Sequence, residues 1–372
     1  MPWPARPTLR LLADELDEDW EERAHRAAAK TPDGKIALPR LHQLKHPVIR
    51  HAAEVFTGAP ERTGDIKRES ISGLTSPAWW KLKTTQYRGA VLFDKDGQAW
   101  LCATGLRRKG DPDDFYSDFM VQVRHRGPAY YEPTREDRKR LRFEQTEALL
   151  GDWESALHRL ACQALRDAVE GPPASFTVPG LRPAAAATTT DGADTSSAAD
   201  GADDDQQDGG GTGAAEGDKP LGRAEIEVVL VPDDDDPDQA VAEIVATVTG
   251  DRSRGTHLDR AEIVVLAAIN PDEQAWDPSY LRDGSRLYAC LLTAGDLKAL
   301  KAAAGAREPG LTVAGSEAHY AHRGRLTESA VEGLAVRAMC GTWFVPRQDA
   351  EPLDRCGPCD ALYRELERQA GN

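Results

Sequence analysis

The chain has 372 residues, 40% of them hydrophobic and 29% charged, with a formal net charge of −16. That length exceeds one ordinary domain, so two or three folded units are expected. No run of about eighteen apolar residues occurs and the first residues lack the apolar core of a signal peptide, so a helical membrane protein is excluded and a soluble, cytoplasmic one is expected.

The acidity is regional. Residues 1–180 carry 28 basic against 27 acidic residues, 181–220 carry 2 against 9, and 221–372 carry 16 against 26. From Lys35 to Gly110 the balance reverses, with 14 basic against 6 acidic residues. Such a block is suited to meeting phosphate, or simply to balancing the acidic opening Asp14, Glu15, Asp17, Glu18 and Asp19.

In chain order, the apolar spacing predicts helices over Leu9–Lys30 and His46–Phe56. The period then changes. Segments starting at Trp79, Tyr87 and Ala99 read as strands, and Asp94-Lys-Asp-Gly97 between the last two has the composition of a hairpin turn. A further strand is expected over Phe119–Arg124, and Arg135–Glu170 reads as one or two amphipathic helices packed on the sheet.

Between about Pro172 and Pro220 the sequence is dominated by Ala, Thr, Ser, Asp and Gly, which cannot bury a core, so a disordered acidic tether is expected. The Gly209, Gly211, Ala214 spacing within it imitates a dinucleotide fingerprint, but neither a strand before nor a helix after supports that reading. Beyond the tether, strands starting at Ala224, Glu262 and Arg286 are expected to alternate with helices at Gln239–Val248 and Ala294–Ala304, an α/β pattern. The run Asp233–Asp236 lacks the interleaved spacing of a calcium loop and reads as solvated.

Three of the six cysteines, Cys102, Cys162 and Cys290, stand alone in apolar stretches and read as buried thiols. The others gather near the C-terminus. Cys356-Gly-Pro-Cys359 places two sulfurs on a tight turn, and Cys340 precedes Gly341 at the tip of an expected hairpin, Val336–Val345. Three thiolates leave one position of a tetrahedral zinc ion for an imidazole, with His319 and His322 the candidates. A redox C-x-x-C opens a helix in a βαβ context, whereas here a hydrophobic hairpin precedes it, so zinc is the expected cofactor. A site of three sulfurs and one nitrogen is closed and hence structural.

His319-Tyr320, Glu328-Ser-Ala, Cys340-Gly341, Trp343, Val345-Pro346 and Cys356-Gly-Pro-Cys359 occur in an order that resembles a small actinobacterial zinc-ribbon-like domain of unknown function, the 3039 family. Phe344, directly before Val345-Pro346, departs from the family's tryptophan. The resemblance favours His319 over His322 as the ligand and implies no activity. More weakly, residues 80–116 are similar to the central hairpin of RelE-like toxins, ribonucleases that cleave messenger RNA. That similarity implies Lys83, Arg88, Arg107, Arg108 and Tyr116 as phosphate-contacting residues. Asp111, Asp113 and Asp114 crowd the same face, and a basic strand pair is easily imitated by an ordinary solvated sheet. His125, Tyr130 and Tyr131 lie just beyond, and the Trp79-Trp80 pair suits either base stacking or a core.

The expected protein is α+β: an antiparallel-sheet domain over 1–171, a tether over 172–220, a small α/β domain over 221–310 and a zinc-binding module over 311–372. No P-loop, H-E-x-x-H or nucleophile elbow is present, so the common NTPase, metalloprotease and hydrolase classes lack support. The leading expectation is a non-enzymatic zinc-containing binding or adaptor protein with an unidentified protein partner, contacting RNA or DNA through the basic sheet. The alternative is a RelE-like ribonuclease domain joined to a regulatory zinc-containing half.

Overall fold

A computed structural model describes residues 3–57, 68–107, 114–181, 219–231, 241–251, 253, 255–303 and 305–370. Arg108, Asp111, Asp113, the Gly209–Ala214 spacing and the Asp233–Asp236 run lie outside them. The chain divides into two compact units, one ending at Glu147 and one starting at Ala148.

The first unit is built on a five-stranded sheet ordered β1-β5-β4-β3-β2, comprising β1 (Arg6–Pro7), β2 (Ser70–Thr75), β3 (Ala78–Lys83), β4 (Tyr87–Phe93) and β5 (Ala99–Leu106). The long pairings are antiparallel; only the short β1 runs parallel to β5. Alternation along each strand sends side chains to both faces, and both faces are buried. Leu82, Val91, Ala99 and Leu101 pack under α1 (Leu9–Asp14) and α4 (Pro47–Val55). Trp79, Leu92, Trp100 and Cys102 pack under α5 (Asp114–Arg126) through Tyr116, Phe119 and Val123. The hairpin falls as expected: the Asp94 carboxylate accepts from the Asp96 and Gln98 amides, and Gly97 takes φ 76°, a left-handed conformation suited to glycine.

Two expectations in this unit change. The predicted helix Leu9–Lys30 is interrupted: α1 stops at Asp14 and α2 (Arg23–Ala29) begins nine residues later, followed by α3 (Pro32–Ala37). Asp19 within the gap has φ 61°, and its carboxylate accepts from the Tyr87 hydroxyl. Phe119–Arg124, expected as a strand, is helical within α5, because Tyr116, Phe119 and Val123 at i, i+3, i+7 form one buried helical face.

Helix α6 (Arg135–Glu170) is continuous over 36 residues. Thr134 and Asp137 cap its start reciprocally, the Thr134 hydroxyl accepting from the Asp137 amide and the Asp137 carboxylate from the Thr134 amide. Leu141 joins the first unit's core, whereas Trp153, Leu157, Ala161, Leu165 and Ala168, spaced by three or four, join the second's.

The second unit contains a wholly antiparallel sheet ordered β6-β7-β8-β10-β9, from β6 (Ala174–Val178), β7 (Gly222–Val231), β8 (Val241–Gly250), β9 (Trp276–Tyr280) and β10 (Arg286–Thr293). Residues 174–178, expected within the tether, thus form an edge strand. Helices α7 (Gly255–Ile269) and α8 (Ala294–Ala303) and the second part of α6 cover one face. Two element types are exchanged relative to the sequence reading. Gln239–Val248, expected helical, is mostly β8, in which Ala242, Ile244, Ala246 and Val248 are buried at period two. Glu262–Ile269, expected as a strand, is the end of α7, whose apolar run is buried on nearly every side, so periodicity carries no information there. The α+β class stands, with an antiparallel sheet in place of the α/β alternation. No helix among the described residues is long and apolar enough to cross a membrane.

Candidate metal centre

The C-terminal residues form a small set of elements around a minor core: β11 (Glu317–Ala318), α9 (Arg323–Glu332), β12 (Val336–Arg337), β13 (Trp343–Phe344), β14 (Asp354–Arg355) and α10 (Gly357–Ala370). Its own core cluster is small, with Val336, Ala338, Phe344, Cys356 and Cys359 buried and Tyr320, Ala321, Leu326 and Cys340 partly buried against them. So few apolar side chains cannot offset the backbone entropy of about sixty residues, and such modules need a staple.

Three local structures bring four metal-ligating side chains to one point. Parallel pairing of β11 with β14 sets His319 beside Cys356, whose amide donates to the Ala318 carbonyl at 2.9 Å. The β12–β13 hairpin, with Val336 opposite Phe344, turns through Gly341 at φ 95° and carries Cys340 at its tip. The Met339 amide donates to the Tyr320 carbonyl at 2.7 Å, tying that tip to the histidine strand. Cys356 immediately precedes α10 and Cys359 lies in its first turn.

The ligand atoms of His319, Cys340, Cys356 and Cys359 all lie within 4.8 Å of one another, so the group can hold a metal ion. His319 Nδ1 is 3.6 Å from Cys340 Sγ and 3.7 Å from Cys359 Sγ. Tetrahedral zinc, with Zn–S near 2.3 Å and Zn–N near 2.0 Å, requires nitrogen–sulfur edges of about 3.6 Å. Burial and the negative neighbours Cys340 and Cys359 push the Cys356 thiol up to about 11. Burial also raises Cys340, but hydrogen bonding with Thr342, whose hydroxyl oxygen lies 3.4 Å from Sγ, with help from Cys359 and His319, brings it down to about 7. Three thiols this close cannot all ionise without a cation, and a divalent ion removes that conflict.

His322 has a different job. It caps α9, its Nδ1 accepting from the Gly324 amide at 3.2 Å. Phe344, at the position where the family pattern has tryptophan, is buried with its ring 5.2 Å from the His319 imidazole. The module also attaches to the second unit's sheet, contacts the sequence did not announce: the Val345 amide donates to the Gln274 carbonyl and the Arg347 guanidinium to the Trp276 carbonyl. Thr342 was likewise missed, and nothing but its position two residues after Cys340 could have marked it.

The basic residues of the first unit are placed quite differently. Register sets Lys83 opposite Arg88 and Arg88 opposite Gly105, so Lys83, Arg88 and Arg107 share one end of the sheet. The Arg88 guanidinium is nevertheless buried, donating to the Thr84 and Tyr87 carbonyls at 2.6 and 2.9 Å. Lys83 pairs with Glu69 at 2.6 Å, and Arg107 is exposed. Tyr116 is buried beneath the sheet, its hydroxyl donating to the Leu82 carbonyl at 2.7 Å. Trp79 is core, in edge contact with Phe119, and Trp80 packs against Phe93. Tyr131 is buried with its hydroxyl on Gln122, while His125 is exposed in the last turn of α5.

Fold and site together define an α+β protein ending in a metal-competent Cys3His module. Residues 314–366 match the model of a family described as "Protein of unknown function (DUF3039)", in agreement with the resemblance read from the sequence. No curated protein and no solved structure gives a significant match to the chain.

Proposed function

We propose that His319, Cys340, Cys356 and Cys359 hold one structural zinc ion and that the protein is a non-enzymatic binding or adaptor protein. The observation that carries this reading is the convergence of three sulfurs and one imidazole nitrogen within 4.8 Å. Sulfur-rich tetrahedral sets of this kind select zinc over hard cations, and four protein ligands leave no position for a reactive water. The metal then staples the module and so supports its attachment to the second unit's sheet.

Support for nucleic-acid association rests on the sheet's end alone, at exposed Arg107 and partly exposed Lys83, because helices cover both sheet faces. A RelE-like reaction would need cations converging on one phosphate, and the guanidinium of Arg88 is committed to carbonyls of its own hairpin. Partner binding therefore stands ahead of RNA cleavage. Metal analysis of the full chain, prepared under reducing, chelator-free conditions, tests the reading. About one zinc per chain is expected, and protein free of metal would sink it.

A further inference from the structure

Strand β7 is longer than its outer neighbour. It runs from Gly222 to Val231, and β8 pairs with it over that whole length, Gly222 opposite Gly250 and Val231 opposite Val241. On the other side β6 pairs only from Val178–Gly222 to Ala174–Ile226. β6 cannot continue past Ala174, because the preceding residues are Pro172 and Pro173, which lack N–H donors. Among the described residues no strand lies beside Glu227–Val231 on that side. Val229, Leu230 and Val231 are 38, 60 and 51% exposed.

Native sheets usually shield such an edge with lysine, proline, a bulge or a covering loop. This stretch is Glu-Val-Val-Leu-Val, regular in register and β-branched, and therefore suited to accepting one more strand. Charge selects the occupant. Glu227 is exposed on the outer face, Glu243 lies opposite Val229 on β8, Glu225 is exposed but paired with Arg223 at 3.4 Å, and in sequence Val231 is followed by Pro232 and four aspartates. A second copy would set an equally acidic edge, carrying Glu227 and Glu243, against this one, and like charges there oppose it. A strand carrying lysine or arginine around apolar alternating residues meets no such penalty.

We propose that Glu227–Val231 is a β-augmentation site for an extended segment of another protein, apolar in alternation and basic at its ends. Main-chain hydrogen bonds to β7 hold the segment and the surrounding carboxylates select its charge. This gives the adaptor reading a docking point. It does not involve the metal ligands, so its failure would leave the zinc assignment intact.

The full, metal-loaded chain is titrated into the fluorescein-labelled peptide KVTVTVK while amide hydrogen exchange is followed across residues 227–231. Saturable binding that slows exchange at those residues is expected. The same peptide with every central amide N-methylated, and the acidic analogue EVTVTVE, should each bind about tenfold or more weakly, a difference of about 1.4 kcal/mol. Equal binding of the N-methylated peptide would overturn strand addition, and equal binding of the acidic one would overturn the charge selection. Absence of binding, or amides already protected in the free chain, would overturn the site. Concentration-dependent dimerisation in sedimentation that is abolished by Val229→Glu would replace the basic partner with a second copy.

Discussion

His319 Nδ1 lies 3.6 Å from Cys340 Sγ although 21 residues separate the two in sequence. A helix and a strand intervene, and the contact forms because the Met339 amide is held by the Tyr320 carbonyl while Cys356 is held by Ala318. Removal of metal should therefore undo the module rather than one ligand. Chelator-stripped protein is expected to show fast amide exchange over residues 317–360, with α4 and the first unit's strands unchanged. Unchanged exchange in the module would mean that its packing stands without a staple.

The two histidines of Ala318-His-Tyr-Ala-His separate cleanly by mutation. His319→Ala should lose the metal. His322→Ala should keep it and cost only about 1 kcal/mol through loss of the α9 cap. Zinc content of the two variants decides, and the reverse pattern would reassign the ligand.

In the first unit, Arg6 and Glu144 are both almost wholly buried and form a bidentate pair at 3.0 and 3.1 Å. Glu144 also accepts from Arg140 and from the Leu41 amide. Arg6→Ala leaves a carboxylate buried with weaker compensation, so urea denaturation should show a loss of about 3–5 kcal/mol. Glu144→Gln in the same background should recover part of it, since a neutral amide is cheaper to bury. Additive losses would show that Arg6 acts through packing on Trp100 instead.

Acid should weaken the first unit through His46. Burial, the largest effect, lowers its pKa below 6.5, outweighing the Glu18 carbonyl and Asp19, which raise it. The neutral ring is required, because Nδ1 accepts from the Val48 amide while Nε2 lies 2.9 Å from the Glu18 carbonyl. With the folded pKa depressed, the unfolded chain binds the extra proton. The contribution is complete above about pH 6.5 and is lost as pH falls from there through the folded value. Between about pH 7 and pH 5, exchange at α4 should accelerate in the native sequence and less so in His46→Asn, which keeps a cap but does not titrate. Equal acid sensitivity in both would point to other groups, of which His42 is shifted in the same direction by burial.

The convergence of His319, Cys340, Cys356 and Cys359 was legible because such residues are rare and two of them stand at short spacing, Cys356 and Cys359 above all. The three strands from Ala78 to Leu106 were legible because they are short runs rich in apolar and aromatic residues separated by turn signals such as Asp94-Lys-Asp-Gly97. Sequence failed where side-chain pattern and environment part company. α7 is apolar around its circumference and rich in valine and isoleucine, so it looks like a buried strand; β8 is six-tenths β-branched with its core face at period two, a strand signal that the sequence reading passed over. Arg88 is the site-level counterpart. A basic residue in a basic strand reads as solvent-facing, but two carbonyls of its own hairpin satisfy its guanidinium and allow burial.

Arg88 therefore separates fold from function. Arg88→Ala removes a donor to the Thr84 and Tyr87 carbonyls, the latter still accepting from the Thr84 amide, and should cost about 1–3 kcal/mol. Arg107→Ala, at an exposed position, should stay within about 0.5 kcal/mol of the parent. RNA incubated with the full chain should remain intact. Filter retention at low salt, compared at equal folded fraction, should be the same for Arg88→Ala and the parent, whereas a phosphate contact at Arg107 would lower the salt slope by about one in its alanine variant. Cleavage by the parent that disappears in Arg88→Ala would overturn the non-enzymatic reading, because a guanidinium tied to backbone carbonyls would then have to swing out to meet the phosphate.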